Sequence, residues 1–311
     1  MTTPARVEAL DVALSSARIW WLAARPKTLP AAISPVLVGI ALAVEAGAFH
    51  ALAAACALLG ALFIQIGTNY ANDYHDFLKG ADTADRKGPM RVTQAGLVTP
   101  EATRNATIIA FGLAVAAGAY LMIRGGWPIV TIGVLSILSG LLYTAGRYAL
   151  AYIGLADLFV LVFFGPVAVA GTFWVQAVGS ASAALWPVAA VAGLGPGFLA
   201  TAILLANNIR DVEEDRAANK RTLVVRFGRR AGIMLYAACI SGAVVVPAAL
   251  ALWTRGYVWV LAASLAASLL GRPLVRTLRQ TDDPAVLNPL LGKTARLLLI
   301  YSVLFSAGWL L

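Results

Sequence analysis

The sequence predicts an all-α membrane protein with nine transmembrane helices and its N-terminus in the cytoplasm. Three observations carry this. Of the 311 residues 60% are hydrophobic and 13% charged, about half the charged share of a soluble domain, and the apolar residues come in blocks of bilayer length. With the N-terminus inside, all of the 24 Lys and Arg except Arg124 and Arg255 fall on the cytoplasmic side, the asymmetry that orients membrane proteins. Trp127, Trp174, Trp186, Trp253, Trp259 and Trp309 all mark outer ends of spans, where indole rings sit at headgroup level. The formal net charge of +9 therefore reports topology and gives no ground for a nucleic-acid partner.

Taken in order, residues 1–27 carry Arg6, Arg18, Arg25 and Lys27 among apolar residues with Trp20 and Trp21 adjacent. This composition predicts an amphipathic cytoplasmic segment on the membrane surface, and no compact apolar stretch leads to a small-residue cleavage site. A single nine-helix domain is expected over 28–311. Its spans lie near 28–46, 51–72, 103–123, 127–146, 153–175, 186–209, 231–253, 257–271 and 293–311. Gly165-Pro166 and Gly195-Pro196-Gly197 predict kinks in the fifth and sixth spans, which membrane helices tolerate and which can also widen a cavity. Cys56, Cys239, His50 and His75 are scattered, so a zinc or haem site is not expected. Asp157 stands early in the fifth span, and an intramembrane carboxylate is a functional candidate by default.

Two stretches at the cytoplasmic ends of spans two and six break the apolar pattern. Asn69-Tyr70-Ala71-Asn72-Asp73-Tyr74-His75-Asp76 places Asn69, Asn72, Asp73 and Asp76 within about 100° of helix circumference. Asn207-Asn208-Ile209-Arg210-Asp211-Val212-Glu213-Glu214-Asp215 places Asn207, Asp211 and Asp215 within about 80°. Both contain Asn-x-x-x-Asp, and each is followed by a basic loop, Arg86 to Arg91 and Lys220-Arg221-Thr222. Two solvated helix ends with acid–base pairs at helical spacing would look similar, yet the pattern occurs twice, each time at the membrane edge.

Oxygen ligands on one helix face suit a hard cation such as Mg²⁺, which bridges carboxylates to phosphates. Two facing clusters would hold Mg²⁺ around a diphosphate, with Lys and Arg taking the remaining oxygens. Everything around this charged mouth is hydrocarbon, so the matching substrate has a diphosphate head and a long apolar tail; a polyprenyl diphosphate is such a molecule. Loops at 77–102 and 210–230 would cap the site against water, which destroys an allylic cation. Tyr70, Tyr74 and Tyr143 offer ring faces to that cation, or serve as an interfacial belt.

The chain resembles the UbiA superfamily of intramembrane aromatic prenyltransferases and, more narrowly, the 1,4-dihydroxy-2-naphthoate polyprenyltransferases of menaquinone synthesis. The resemblance rests on Arg25-Pro26-Lys27-Thr28-Leu29, Asn69 through Asp82, Gly88-Pro89-Met90-Arg91-Val92-Thr93-Gln94-Ala95-Gly96, Gly154-Leu155-Ala156-Asp157, Phe163-Phe164-Gly165-Pro166 and Asn207 through Leu223. It implies nine helices around a central cavity capped by cytoplasmic loops, in a bacterial cytoplasmic membrane. It also implies transfer of a polyprenyl group to the naphthoate carbon bearing the carboxylate, with loss of CO₂. By the same resemblance Asp73, Asp76, Asp211 and Asp215 are catalytic and, with Asn69 and Asn207, hold Mg²⁺, directly or through water. Asn72, Arg86, Arg91, Gln94, Tyr143, Asp157, Asn208, Lys220 and Arg221 are then expected to contact diphosphate or acceptor. Gly146-Arg147-Tyr148 departs from the Gly-Pro-like loop expected there. A 4-hydroxybenzoate-type acceptor is the nearest alternative. A cation-coupled transporter would place its acids at the bilayer midplane, and the CDP-alcohol phosphotransferases carry an Asp-Gly opening and an Ala-Arg pair absent from this motif.

Overall fold

The computed structural model describes residues 15–80, 88, 90–146 and 149–311, and among them every regular element is helical. The chain runs α1 (Ser16–Ala23), α2 (Pro30–Glu45), α3 (Ala51–Leu78), α4 (Pro100–Gly125), α5 (Trp127–Leu142), α6 (Ala156–Ala177), α7 (Trp186–Arg210), α8 (Val212–Ala217), α9 (Leu223–Thr254), α10 (Leu261–Gln280) and α11 (Pro284–Leu310). Each of the nine predicted spans falls on one of these helices. Among the described residues seven helices are long and apolar enough to cross a bilayer, and α1 with α2, bent by 57°, makes an eighth. The ninth expected span, α5, has 16 residues, about 24 Å against a hydrocarbon thickness near 30 Å.

Helix ends lie beyond the ends of the apolar runs. α3 continues through the polar stretch to Leu78, α10 reaches Gln280, and α11 already begins at Pro284. Hydropathy marks where the chain leaves hydrocarbon, whereas caps mark where the helix stops. Thr99 accepts from the Ala102 amide at 3.2 Å with Pro100 in the first turn, and Asp283 does the same for Ala285 at 2.9 Å before Pro284, both strong N-terminal signals. His50 caps α3, its Nδ1 accepting from Ala53 N at 3.3 Å.

α7 is the central helix, with most of its side chains from Ala189 to Arg210 buried. It packs closely because Gly193 and Gly197 face Gly165, where a π turn over Phe163–Val167 interrupts α6. A Cβ on Gly193 would lie 2.7 Å from the carbonyl carbon and oxygen of Gly165. The kink expected at Gly165-Pro166 therefore exists, and glycine is required there for backbone-to-backbone contact. Around α7, side chains of α2, α6, α9, α10 and α11 form one large core that includes Phe173, Leu199, Tyr236, Leu298 and Phe305. A smaller cluster, Ala53, Leu121, Ile129 and Val175, ties α3, α4 and α5 to the C-terminal end of α6. The bundle is thus filled on one side and hollow between α2–α6 on the other.

The charge asymmetry predicts the sidedness of the loops. Cysteines placed at the exposed positions Lys79 and Asn219 are expected to react with an impermeant thiol reagent from the cytoplasmic face only, and one at Ala181 from the opposite face only. Reaction of the first two from different sides would break the orientation.

Candidate active site

Because α3 stays helical to Leu78, its polar stretch presents one face to the bundle interior. Asn69, Asn72 and Asp76 line a cavity of about 400 Å³. Asp73 is 2% exposed and does not line it; its Oδ2 accepts from the Thr93 hydroxyl at 3.1 Å and the Thr93 amide at 3.4 Å. Thr93 in turn bonds Thr103 at 2.9 Å, so Asp73 fastens the loop after the motif to the start of α4.

Asp76 is fully buried, and its Oδ2 accepts from Lys220 Nζ at 3.2 Å and from Arg91 at 3.5 Å. With its amide oriented to satisfy both neighbours, Asn72 donates to Asp76 Oδ2 at 2.8 Å and accepts from Arg25 Nη1 at 3.2 Å. Asp76 Oδ1 has no hydrogen-bond partner among the described residues, an oxygen left aimed at something to bind. The Lys220–Asp76 pair joins the two motifs across 144 residues of sequence.

The second motif is not one continuous helix as the sequence suggests. α7 ends at Arg210, Asp211 leaves helical geometry (φ −95°, ψ 14°) and α8 follows. The hydrogen bonds nevertheless keep their spacing, Asp211 N to Asn207 O at 3.0 Å and Asp215 N to Asp211 O at 2.8 Å, so Asn207, Asp211 and Asp215 still line the same cavity. Arg210, with 1% of its side chain exposed, donates through Nε and Nη2 to the two Asp211 oxygens at 2.6 Å each, and through Nη2 to Asn207 at 2.7 Å. Asn72 with Asp76 and Asn207 with Asp211, both i, i+4, line the cavity. The sequence had pointed to Asn69 with Asp73 for the first.

Of the other predicted residues, Arg91, Tyr143, Asn208 and Lys220 line the cavity. Gln94 is half-buried in the turn after Thr93, Arg221 is exposed, and neither reaches it. Asp157 is 6% exposed at the start of α6 with both carboxylate oxygens unpartnered among the described residues, outside the cavity lining. Arg86 lies outside the described residues, as do Asp82 and the departing Arg147-Tyr148.

The N-terminal segment adds side chains that sequence reasoning left out of the site. α1 buries Ile19 and Ala23 against Tyr70, Val92 and Ala110, and the Tyr70 hydroxyl donates to the Trp20 carbonyl at 3.3 Å. The chain then turns through Arg25 in the left-handed region (φ 52°), a conformation costly for a residue with a Cβ. Asn69 holds that turn, donating to Ala24 O at 2.9 Å and Thr28 Oγ1 at 3.1 Å, while Thr28 donates to Arg25 O. Arg25 and Lys27 consequently line the cavity together with Glu214. Arg25 was visible in the Arg-Pro-Lys-Thr block, and Arg210 in the second motif; neither spacing shows that its charge turns inward.

Lys79, one residue past α3, donates to Thr144 O at 2.6 Å and Gly146 O at 3.0 Å and lies 4.0 Å from the Tyr152 ring centroid. Burial lowers its ammonium below the ordinary lysine range; Asp76 opposes that shift and Lys220 adds to it.

No group of three His, Cys, Asp or Glu closes around a common point among the described residues; Arg210, Arg91 and Lys220 neutralise the carboxylates instead. The donor set still fits a hard divalent cation. Asn72, Asp76, Asn207, Asp211 and Asp215 supply oxygen ligands without sulfur or imidazole, and one Asp76 oxygen has no partner among the described residues.

Below this polar chamber lies a second cavity of about 350 Å³, lined almost wholly by carbon and shared among α2, α3, α4, α5 and α6. Gln65, Thr68, Tyr143, Val160 and Phe164 line both, so the two adjoin. A charged mouth and an apolar chamber meet at the Tyr143 ring.

The chain is 38% identical over 301 residues to the 1,4-dihydroxy-2-naphthoate octaprenyltransferase of Escherichia coli, covering 95% of this chain and 96% of that one. To the enzyme of the same name from Mycobacterium tuberculosis it is 36% identical, covering 84% and 91%. The fold is similar to that of a UbiA homolog from Archaeoglobus fulgidus bound to GPP and Mg²⁺, with a TM-score of 0.60 at 17% identity over 93% of this chain and 99% of that one. The model of the UbiA prenyltransferase family matches residues 32–309, and the chain belongs to that family.

Proposed function

We propose that this protein transfers a polyprenyl group from polyprenyl diphosphate to 1,4-dihydroxy-2-naphthoate, releasing diphosphate and CO₂ and giving demethylmenaquinol. The observation that carries the reading is the adjoining pair of chambers, one lined by both acidic motifs and the other by hydrocarbon. The names of the relatives at 38% and 36% identity support the choice of acceptor.

In this reading the diphosphate sits between Asn72–Asp76 and Asn207–Asp211, whose oxygens would hold Mg²⁺, and that ion would supply positive charge to the leaving group. Lys220, Arg91 and Arg25 meet the remaining phosphate oxygens or the acceptor carboxylate. The allylic C–O bond breaks with its electron pair leaving on the diphosphate, and the ring carbon bearing the carboxylate forms the new C–C bond. Loss of that carboxylate as CO₂ restores the aromatic ring, so no proton need be removed from the carbon attacked. Tyr143 presents its ring where charged and apolar chambers meet, facing the carbon that becomes cationic. α1 and the loop held by Asp73 close the chamber against water, and the chamber opens on the cytoplasmic face of a bacterial membrane.

The test offers purified protein a polyprenyl diphosphate and Mg²⁺ with either 1,4-dihydroxy-2-naphthoate or 4-hydroxybenzoate. Prenylated product is expected from the naphthoate alone, and should disappear with EDTA and return with excess Mg²⁺. Product from 4-hydroxybenzoate alone would overturn the acceptor assignment.

A further inference from the structure

One face of α10 changes character along its length. Leu261, Leu265 and Leu269 are exposed, and the exposed Arg272, Arg276 and Arg279 continue the same stripe. At 100° per residue all six fall within about 80° of helix circumference. The opposite side, Ala263, Ala266, Ala267, Gly271, Leu274 and Leu278, is buried. It packs on α9, where a Cβ on Gly271 would lie 2.5 Å from Ile240 and Ser264 donates to Val244 O at 2.7 Å. The leucines of the exposed stripe therefore face lipid, and so do the arginines that follow them.

Their depth sets these arginines apart from ordinary loop charges. Trp259, 61% exposed, marks the outer headgroup level. Arg272 lies 13 residues further on, roughly 20 Å at 1.5 Å per residue, and Arg279 roughly 30 Å. The hydrocarbon is about 30 Å thick, so the three positions run from within its inner half to its cytoplasmic edge. A lipid-facing arginine at that depth is costly unless its charge is met. Among the described residues none of the three forms an ion pair. Asp283, just past the helix, instead caps α11, its Oδ1 accepting from Ala285 N at 2.9 Å. Arg229 of α9, by contrast, is engaged, donating to the carbonyls of Leu278 and Thr281. That contact closes the C-terminal end of α10 and sets the exposed Arg230 at the same level.

We propose that Arg272, Arg276 and Arg279 form a binding site for the phosphate of an anionic phospholipid, drawn inward along α10 from the cytoplasmic leaflet. Guanidinium forks match phosphate oxygens, and the apolar stems of the arginines lie along the acyl chains. The exposed leucines of the same stripe take the tails. The anionic lipids of that leaflet supply the ligand, and each arginine near the surface adds to their hold. No residue of α10 lines either chamber, so the site stands apart from the prenyl-transfer reading and does not depend on it.

The experiment titrates purified protein in detergent with dioleoylphosphatidylglycerol or dioleoylphosphatidylcholine and reads bound lipid by native mass spectrometry. Wild type should bind the anionic lipid about tenfold or more tightly than the zwitterionic one. In the double variant Arg272→Gln, Arg276→Gln the anionic lipid should lose about thirtyfold in affinity, while the zwitterionic lipid stays within about twofold. Both side chains are exposed and glutamine is a good helix former, so the variant is expected to fold; its Tm checks this. The control Arg104→Gln, Arg216→Gln removes the same charge at exposed positions elsewhere and should bind both lipids as wild type does. Equal binding of the two lipids by wild type would overturn the site without recourse to any variant, as would an equal loss in the control. Inorganic phosphate that displaced the lipid at equal concentration would overturn it too, since the ligand would then be a free anion.

Discussion

Asp76→Asn should lower kcat for prenyl transfer by about 10³-fold or more, the scale on which a buried group that stabilises developing charge contributes. Asp76 is fully buried where Lys220, Arg91 and Asn72 converge, and one of its oxygens has no partner among the described residues. Asparagine keeps the shape and a hydrogen-bonding oxygen but removes the charge that a divalent cation and its diphosphate require. Asp73→Asn, one helical step away, should cost far less, about tenfold, because Asp73 fastens Thr93 and does not line the chamber. Measured kcat for the two purified variants, with Tm to show that both are folded, checks the order. Equal loss at the two positions would mean that both carboxylates meet the substrate.

Gly193→Val is expected to prevent recovery of folded protein. The first added carbon would lie 2.7 Å from the carbonyl carbon and oxygen of Gly165 and from Cα of Pro166, all backbone. A flexible side chain could move aside; two helix backbones in contact at the centre of the bundle cannot do so without separating α6 from α7. Overpacking alone costs typically 1–3 kcal/mol, and more where backbone must shift, against a total stability of about 5–15 kcal/mol. Gly112→Val, at a position on α4 with no atom within 4 Å of a Cβ, serves as the control and should leave yield and Tm nearly unchanged. Size-exclusion profile and Tm in detergent read both.

Helices, their order and the polar clusters were legible in the sequence because hydropathy and charge asymmetry report transfer energies directly. The ends were less so: α3 runs on to Leu78 and α11 starts at Pro284 because hydrogen-bonded backbone continues where hydrocarbon ends. The two motifs were visible as compositions, yet a 100° arc on a helical wheel is too wide to separate the cavity-facing Asn72 and Asp76 from Asp73, which turns to Thr93. Arg210 lay in plain view within the second motif, but its bidentate hold on Asp211 depends on the break after α7. Arg25 reaches the chamber only through a left-handed turn pinned by Asn69, a tertiary feature with no local signature. The apolar chamber was equally hidden, since it forms among side chains of five helices and no single span shows it.

In the proposed reaction the paired chambers join a polyprenyl group to the ring carbon that carries the naphthoate carboxylate. Supplying purified protein with Mg²⁺, a polyprenyl diphosphate and 1,4-dihydroxy-2-naphthoate labelled in its carboxyl group tests it most directly. One labelled CO₂ should be released for each prenylated ring formed, with a product that carries no label. A prenylated product that retains the label would contradict the claim, even if its formation required Mg²⁺.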